Sequence, residues 1–263
     1  MKDDLLPVLL ELAIPHEDIG ELMAVKLTAH EQRLLEERVH TLLQHLGSVD
    51  SPPPRFEPIP DTHPLFYVFV YAAALPCVKA YHRARGIPEE ISRLTFSDVG
   101  RSVAVHRRRT GVAGLSPVHW LMLHFCGTRY QVGRLQWEQA IEEGEPVLSI
   151  HIPAFCGPLK PVVVDESIER AKAFFQKHFP EVEYRKAVCY SWLLDEQLAE
   201  YLPAESNIIQ FQRRFTLTGQ QDNDESIQRF VDVDSALHRT VLEHLASGRH
   251  WHTGGGWLDL SRR

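Results

Sequence analysis

At 263 residues the chain has room for one large domain or two ordinary ones, and enough length to bury a proper core. Its hydrophobic fraction of 44% and charged fraction of 24% are those of an ordinary globular protein. A formal net charge of -7 repels polyanions, so generic binding to nucleic acid or to an anionic membrane is disfavoured, the local run Arg107-Arg108-Arg109 notwithstanding.

The first hundred or so residues read as helices. Leu5 to Ala13 is a short apolar stretch and His16 to Met23 follows it. Thr28 to Leu46 is the clearest helix: Leu34, Leu35, Val39, Leu42, Leu43 and Leu46 recur at steps of three and four, and Gly47 supplies the stop. Ser51-Pro52-Pro53-Pro54 begins an extended connection that runs to about Pro60. Leu65 to Arg85 is a second strong helix. Its apolar run, Leu65 to Ala80, is short for a membrane span and interrupted by Pro76, so it reads as a core helix. Thr95 to Arg109 makes a third.

Around Gly111 the pattern changes. Trp120 to Cys126 alternates, Cys126-Gly127-Thr128 signals a turn, and Arg129 to Trp137 is a second extended run, which together predict a hairpin. Val147 to Ile152 is a third strand. A Gly/Pro loop from Pro153 to Pro161 leads to a helix over Glu166 to His178. Tyr184 to Leu194 is a strand and Asp195 to Leu202 a short helix. Ile208 to Leu217 and Ile227 to Val231 are expected to close as an antiparallel pair across the polar loop Gly219 to Glu225. A helix from Ser235 to Ala246 precedes a last extended segment, His250 to Leu260. The crossover from Val147 to Leu194 needs parallel strands, so the sheet is mixed. The fold class is therefore α+β: an all-helical part over residues 1–112, then a mixed sheet flanked by helices over 113–263.

The four cysteines, Cys77, Cys126, Cys156 and Cys189, are widely spaced and form no C-x-x-C pair. The opening Met1-Lys2-Asp3-Asp4 is acidic and unlike a signal peptide, so a reducing, cytoplasmic setting is expected.

Several phrases carry a family likeness. They are Gly133-Arg134-Leu135-Gln136-Trp137-Glu138, Leu148-Ser149-Ile150-His151-Ile152-Pro153 with Gly157-Pro158-Leu159, Ser191-Trp192-Leu193-Leu194 and Ser206-Asn207-Ile208. With the element order, they resemble a bacterial family that pairs a helical N-acyltransferase N-terminal domain with a GNAT-like C-terminal domain. The resemblance implies an acyl-CoA-dependent acyltransferase. Acetyl-CoA or another acyl-CoA is its donor, a small-molecule amine its acceptor, and no metal takes part.

In such enzymes, as the resemblance implies, the donor's pantetheine arm pairs with the fourth core strand. The pyrophosphate sits on backbone N–H groups at the start of the next helix, where free donors and the helix dipole bind anions. Here the strand is Val147 to Pro153 and the loop with its helix start is Ala154 to Ser167. The donor-binding candidates are Ile150, Ile152, Cys156, Gly157, Leu159 and Ser167. The usual loop spaces its glycines as Q/R-x-x-G-x-G/A. This one offers only Gly157, and Pro158 and Pro161 remove two N–H donors.

His151 shares a strand face with Ser149 and is the candidate base, because imidazole titrates near neutrality; the bland alternative is a hydrogen-bonded core histidine. Glu138, closing the preceding hairpin, is a second candidate base or a solvated strand-end carboxylate. Tyr201, ending the short helix, matches the tyrosine that often protonates the departing thiolate, or it is an amphipathic packing residue. Cys156 and Cys189 lack a Cys-His spacing that would support a covalent route. His250-Trp251-His252 puts two imidazoles on one strand face, but neither H-E-x-x-H nor paired cysteines accompany it, so no metal is expected. Thr253-Gly254-Gly255-Gly256 demands close backbone approach or a flexible turn.

Two further readings stay open. One is a degenerate fold of the same kind that binds a small molecule without turning it over. The other is a regulatory protein that uses Ile87 to Gly111 as a helix-turn-helix. The helical part is expected to wall one side of the acceptor cleft.

Overall fold

A computed structural model describes residues 2–50, 52–116, 118–231 and 235–261. The chain separates into two compact units, Met1–Gln131 and Val132–Arg263.

The first unit holds α1 (Lys2–Glu11), α2 (His16–Ala24), α3 (Ala29–Gln44), α4 (Phe66–Ala84), α5 (Glu89–Phe96), α6 (Asp98–Thr110) and α7 (Val118–Phe125). A capping box starts α3: the Thr28 hydroxyl accepts from Glu31 N at 3.1 Å, and Thr28 N donates to Glu31 Oε2 at 2.8 Å. The middle of the unit is α4, which runs through Pro76 and buries Val68, Val70, Tyr71, Leu75 and Val78 in one apolar core. Residues 52–59 form the extended connection; Ser51, at its head, lies outside the described residues.

Two expectations are corrected here. Trp120 to Phe125 is not a strand but part of α7, and Cys126 follows it as a turn. Leu121, Met122 and Phe125, at helical spacing from Val118, all enter the core. A stretch apolar on both sides alternates whether or not it is a strand, so the alternation carried no weight. The segment Thr95 to Arg109 is two helices, α5 and α6, meeting at Ser97. The helix-turn-helix alternative loses its recognition surface as well. Val99 and Val103 face the core, and the Arg107 guanidinium is spent on the buried Asp18, with Glu17 3.9 Å away.

Polar groups enter this core too, two histidines among them. His124 is fully buried, with Nδ1 donating to the Arg129 carbonyl at 3.2 Å and Nε2 2.9 Å from Asp98 Oδ2. His82 stacks on Phe96 and places Nδ1 2.8 Å from Ser92 Oγ, while its Nε2 has no hydrogen-bond partner. Burial, reinforced by His124 and Lys79, pushes the His82 pKa down to about 3.

Strand β1 (Arg129–Val132) carries the chain across the division. The second unit then gives β2 (Leu135–Glu142), β3 (Glu145–His151), α8 (Pro161–His178), β4 (Lys186–Ser191), a 3-10 turn (Trp192–Leu194), α9 (Leu198–Tyr201), α10 (Asn207–Gln212), β5 (Thr216–Asp222), α11 (Asp224–Phe230), α12 (Ala236–Ala246) and β6 (His252–Asp259). The six strands order as β1-β2-β3-β4-β6-β5. The β3–β4 pair is parallel, while β2–β3, β4–β6 and β6–β5 are antiparallel, so the sheet is mixed. The hairpin turn is at Gly133-Arg134, between β1 and β2, rather than at Cys126-Gly127-Thr128.

The expected pairing of Ile208–Leu217 with Ile227–Val231 is also corrected. Ser206 caps α10 by accepting from Ile209 N at 3.3 Å, and Asn223 caps α11 by accepting from Ser226 N at 3.1 Å. Asn207–Gln212 and Asp224–Phe230 are thereby helices, and β5, which takes in Thr216 and Leu217, pairs with β6 instead. The glycine run lies inside β6. A Cβ at Gly254 would sit 2.3 Å from the Leu194 carbonyl oxygen, so the strand can pass the 3-10 turn only as glycine. No helix among the described residues is long and apolar enough to cross a membrane.

Candidate active site

The sheet of the second unit is parted along one seam. β3 stays paired with β2 as far as His151↔Gln136, and β4 with β6 as far as Ser191↔Gly254. Between β3 and β4, however, the register holds only Leu148↔Ala187 and Ser149↔Val188. From Ile150 on one strand and Cys189 on the other, two facing edges run on without a shared ladder. Backbone groups on such edges are available to an extended ligand, which can pair with them as a strand would.

His151 stands on β3 at the opening of this seam. Strand alternation turns Leu148 and Ile150 into the core and leaves Ser149 and His151 on the other face. On β2, Glu138 lies opposite Ser149, which makes it the diagonal neighbour of His151. The two meet: His151 Nε2 is 2.6 Å from Glu138 Oε2, with 16% and 17% of the side chains exposed. The two separate candidate bases are thus one carboxylate–imidazole pair. A carboxylate so placed fixes the orientation of the ring, and such a pair has the chemistry of a candidate base.

The loop after β3 supplies the second part. Cys156, Pro158 and Lys160 line a cavity of about 380 Å³ together with Gly133, Arg134 and Arg170. Gly157 takes a left-handed conformation at φ +76, Ile152 is half-buried, and Leu159 and Ile150 are buried. The helix begins at Pro161, five residues before the expected Glu166, with proline in its first turn where no N–H is needed.

That earlier start changes the role of Ser167. It is fully buried two turns into α8, and its hydroxyl donates to the Val132 carbonyl while accepting from Leu135 N at 3.1 Å and Trp137 Nε1 at 3.3 Å. Ser167 therefore locks the β1–β2 turn onto α8 and presents nothing to a ligand. At Gly133, whose φ is +70, an added Cβ would sit 3.1 Å from the Ser167 Cα, so glycine suits the lock.

Tyr201 belongs to a different cluster. Its ring packs with His244 and Trp251, and its hydroxyl is 2.8 Å from His244 Nδ1. His244 Nε2 lies 3.3 Å from the His250 carbonyl, which only accepts, so Nδ1 of the neutral ring accepts the Tyr201 proton. Arg249 Nη1 donates to the same hydroxyl at 3.2 Å. With its proton given to His244, Tyr201 is held as a packing residue, and delivery of a proton to a thiolate is not assigned to it.

Burial pushes the Cys189 thiol up to about 12, which leaves it inert. His250 pairs with Asp224 at 2.8 Å, and His252 lies between Asp195 at 3.4 Å and Asp222 at 3.3 Å. Among the described residues no group of three or more His, Cys, Asp or Glu side chains could hold a metal ion. The residue that sequence reasoning passed over is Arg134. Its side chain reaches back from the β1–β2 turn to donate to the Pro153 carbonyl at 2.9 Å.

A mixed sheet parted at a parallel β-α-β pair is the architecture of a GNAT-like acyltransferase. Residues 93–258 match the family model described as the GNAT-like C-terminal domain, and residues 3–127 match the N-acyltransferase N-terminal domain. The chain belongs to this two-domain N-acyltransferase family. Among solved structures it is similar to an acyltransferase in complex with CoA and 10C-teicoplanin, at 36% identity and a TM-score of 0.93, over 98% of this chain and 88% of that one. It is equally covered by an acyltransferase in complex with decanoyl-CoA and teicoplanin, at 36% identity and a TM-score of 0.92. A third, in complex with decanoyl-CoA alone, has 37% identity and a TM-score of 0.91 over the same 98% and 88%. A search of curated proteins finds no match.

Proposed function

We propose that the protein transfers an acyl group from acyl-CoA to the amine of a small molecule, by direct attack within a ternary complex. The observation that carries this reading is the parted β3–β4 seam with the His151–Glu138 pair at its mouth. Relatives of this fold bound to CoA, decanoyl-CoA and teicoplanin support both a CoA thioester donor and a small-molecule acceptor. The pantetheine arm lies along the β3 edge by Ile150 and Ile152, and the phosphates lie by Cys156, Gly157 and Leu159.

The amine nitrogen attacks the thioester carbonyl carbon, and the His151–Glu138 pair takes the proton that the nitrogen loses. The tetrahedral oxyanion is met by a strand N–H at the seam, the C–S bond then breaks, and CoA leaves as thiolate. That thiolate takes its proton from the protonated pair or from water, so no covalent enzyme intermediate arises.

Thermal unfolding with acetyl-CoA and decanoyl-CoA tests the donor. A ligand that binds only the folded form at about 100 times its Kd adds about 2.7 kcal/mol of stability and raises Tm. Release of free thiol on adding an amine then tests transfer. Binding without thiol release for any amine would leave a degenerate binder, and no binding at millimolar donor would remove the reading.

A further inference from the structure

Arg134 is only 7% exposed, yet no carboxylate among the described residues pairs with it. Its Nη1 donates to the Pro153 carbonyl at 2.9 Å, and its Nε is buried with no hydrogen-bond partner. Burial lowers its pKa, with Cys156 acting in the other direction. A desolvated cation of this kind is costly unless an anion completes it. The side chain is nevertheless held firmly in place. Ser167 fixes the β1–β2 turn from which it springs, and Pro153 ties its far end to the start of the β3–α8 loop. So pinned, Arg134 lines the 380 Å³ cavity beside Cys156, with the exposed cations Lys160 and Arg170 and the carboxylate of Glu166 at the rim.

We propose that Arg134 reads a phosphate group of the donor, and that this cavity, rather than the loop backbone alone, selects phosphorylated thioesters such as acyl-CoA over phosphate-free ones. The inference rests on the acyl-CoA reading above. It accounts for a loop poor in glycine and stripped of two N–H donors by Pro158 and Pro161. A fixed guanidinium supplies the charge-assisted hydrogen bonds that such a backbone lacks.

The test compares binding of CoA, dephospho-CoA, pantetheine and inorganic phosphate by calorimetry. Loss of a hydrogen bond to a charged group costs about 10- to 100-fold in affinity. Arg134→Gln should therefore weaken CoA by that factor and leave pantetheine unchanged, with Arg134→Lys in between. An effect shared by CoA and dephospho-CoA assigns the pyrophosphate, and one confined to CoA assigns the ribose phosphate. Should Arg134→Gln fail to fold, the exposed pair Lys160→Gln/Arg170→Gln decides, with a loss of about tenfold expected for CoA. Glu166→Gln should tighten CoA by a few-fold. Unchanged CoA affinity in the variants, or equal loss for pantetheine, would overturn the proposal. A wild-type protein that bound no CoA at all would instead remove the donor reading beneath it.

Discussion

Each unit of the molecule holds a histidine against a carboxylate, and the two pairs stand in opposite surroundings. His124 and Asp98 lie 2.9 Å apart inside the helical unit, with the histidine sealed from solvent and its second nitrogen taken by the Arg129 carbonyl. His151 and Glu138 lie 2.6 Å apart on a sheet face, both still reached by solvent, where two strands part. The residue types are the same. The sealed pair is cut off from solvent and stitches α6 to α7; the open pair stands at the seam where the proposed substrates would meet. Exposure and the neighbouring backbone decide the role, and neither can be read from the identity of a histidine.

The largest expected effect belongs to the open pair. His151→Ala should lower turnover by about 10²–10⁴-fold while shifting Tm little, and the acid limb of the rate profile should vanish with it. A kcat within about threefold of wild type would place the base elsewhere. Asp98→Ala should do the reverse. Removing one member of a buried pair costs about 3–5 kcal/mol, read as a lowered denaturant midpoint. If Asp98→Ala left stability within about 1 kcal/mol of wild type, the contrast between the pairs would break.

The smallest effect sharpens the contrast through a third imidazole, His82. Its folded pKa of about 3 lies below the ordinary 6.5, so the unfolded chain binds the extra proton between these limits. Stability from the neutral ring is complete above pH 6.5 and falls by about 1.4 kcal/mol per pH unit on the way to pH 3. Denaturant titrations at pH 7 and pH 5 should show that slope flatten in His82→Leu. A slope equal in both proteins would show that the imidazole titrates normally in the fold.

The legible parts of the fold were those with one dominant local signal. Thr28 with Glu31, the period of leucines to Leu46, and the β-α-β crossover after Val147 all read correctly, because cap, period and chain length agree there. Trp120 to Cys126 misled because apolar residues fill both of its faces. The better clue was Ser116-Pro117, a cap residue followed by a proline suited to a first turn, although Pro117 itself lies outside the described residues. Ser206 and Asn223 were equally legible as caps, but the β-rich runs after them drew the eye. At the site, strand alternation brought His151 and Glu138 onto the right faces, while their meeting depended on a register that only the β2–β3 ladder supplies. Ser167 and Tyr201 misled for the opposite reason. Each occupies a plausible place in order along the chain, and each spends its hydroxyl on partners more than thirty residues away.

As a mechanical object, the sheet is two stiff antiparallel panels, β2–β3 and β4–β6–β5, joined by a seam of two residue pairs and strapped by α8. A seam that short resists bending far less than either panel does. On the placement proposed above, an extended thioester arm laid into it would add the missing stitches, and a bound donor would become a structural member of the sheet.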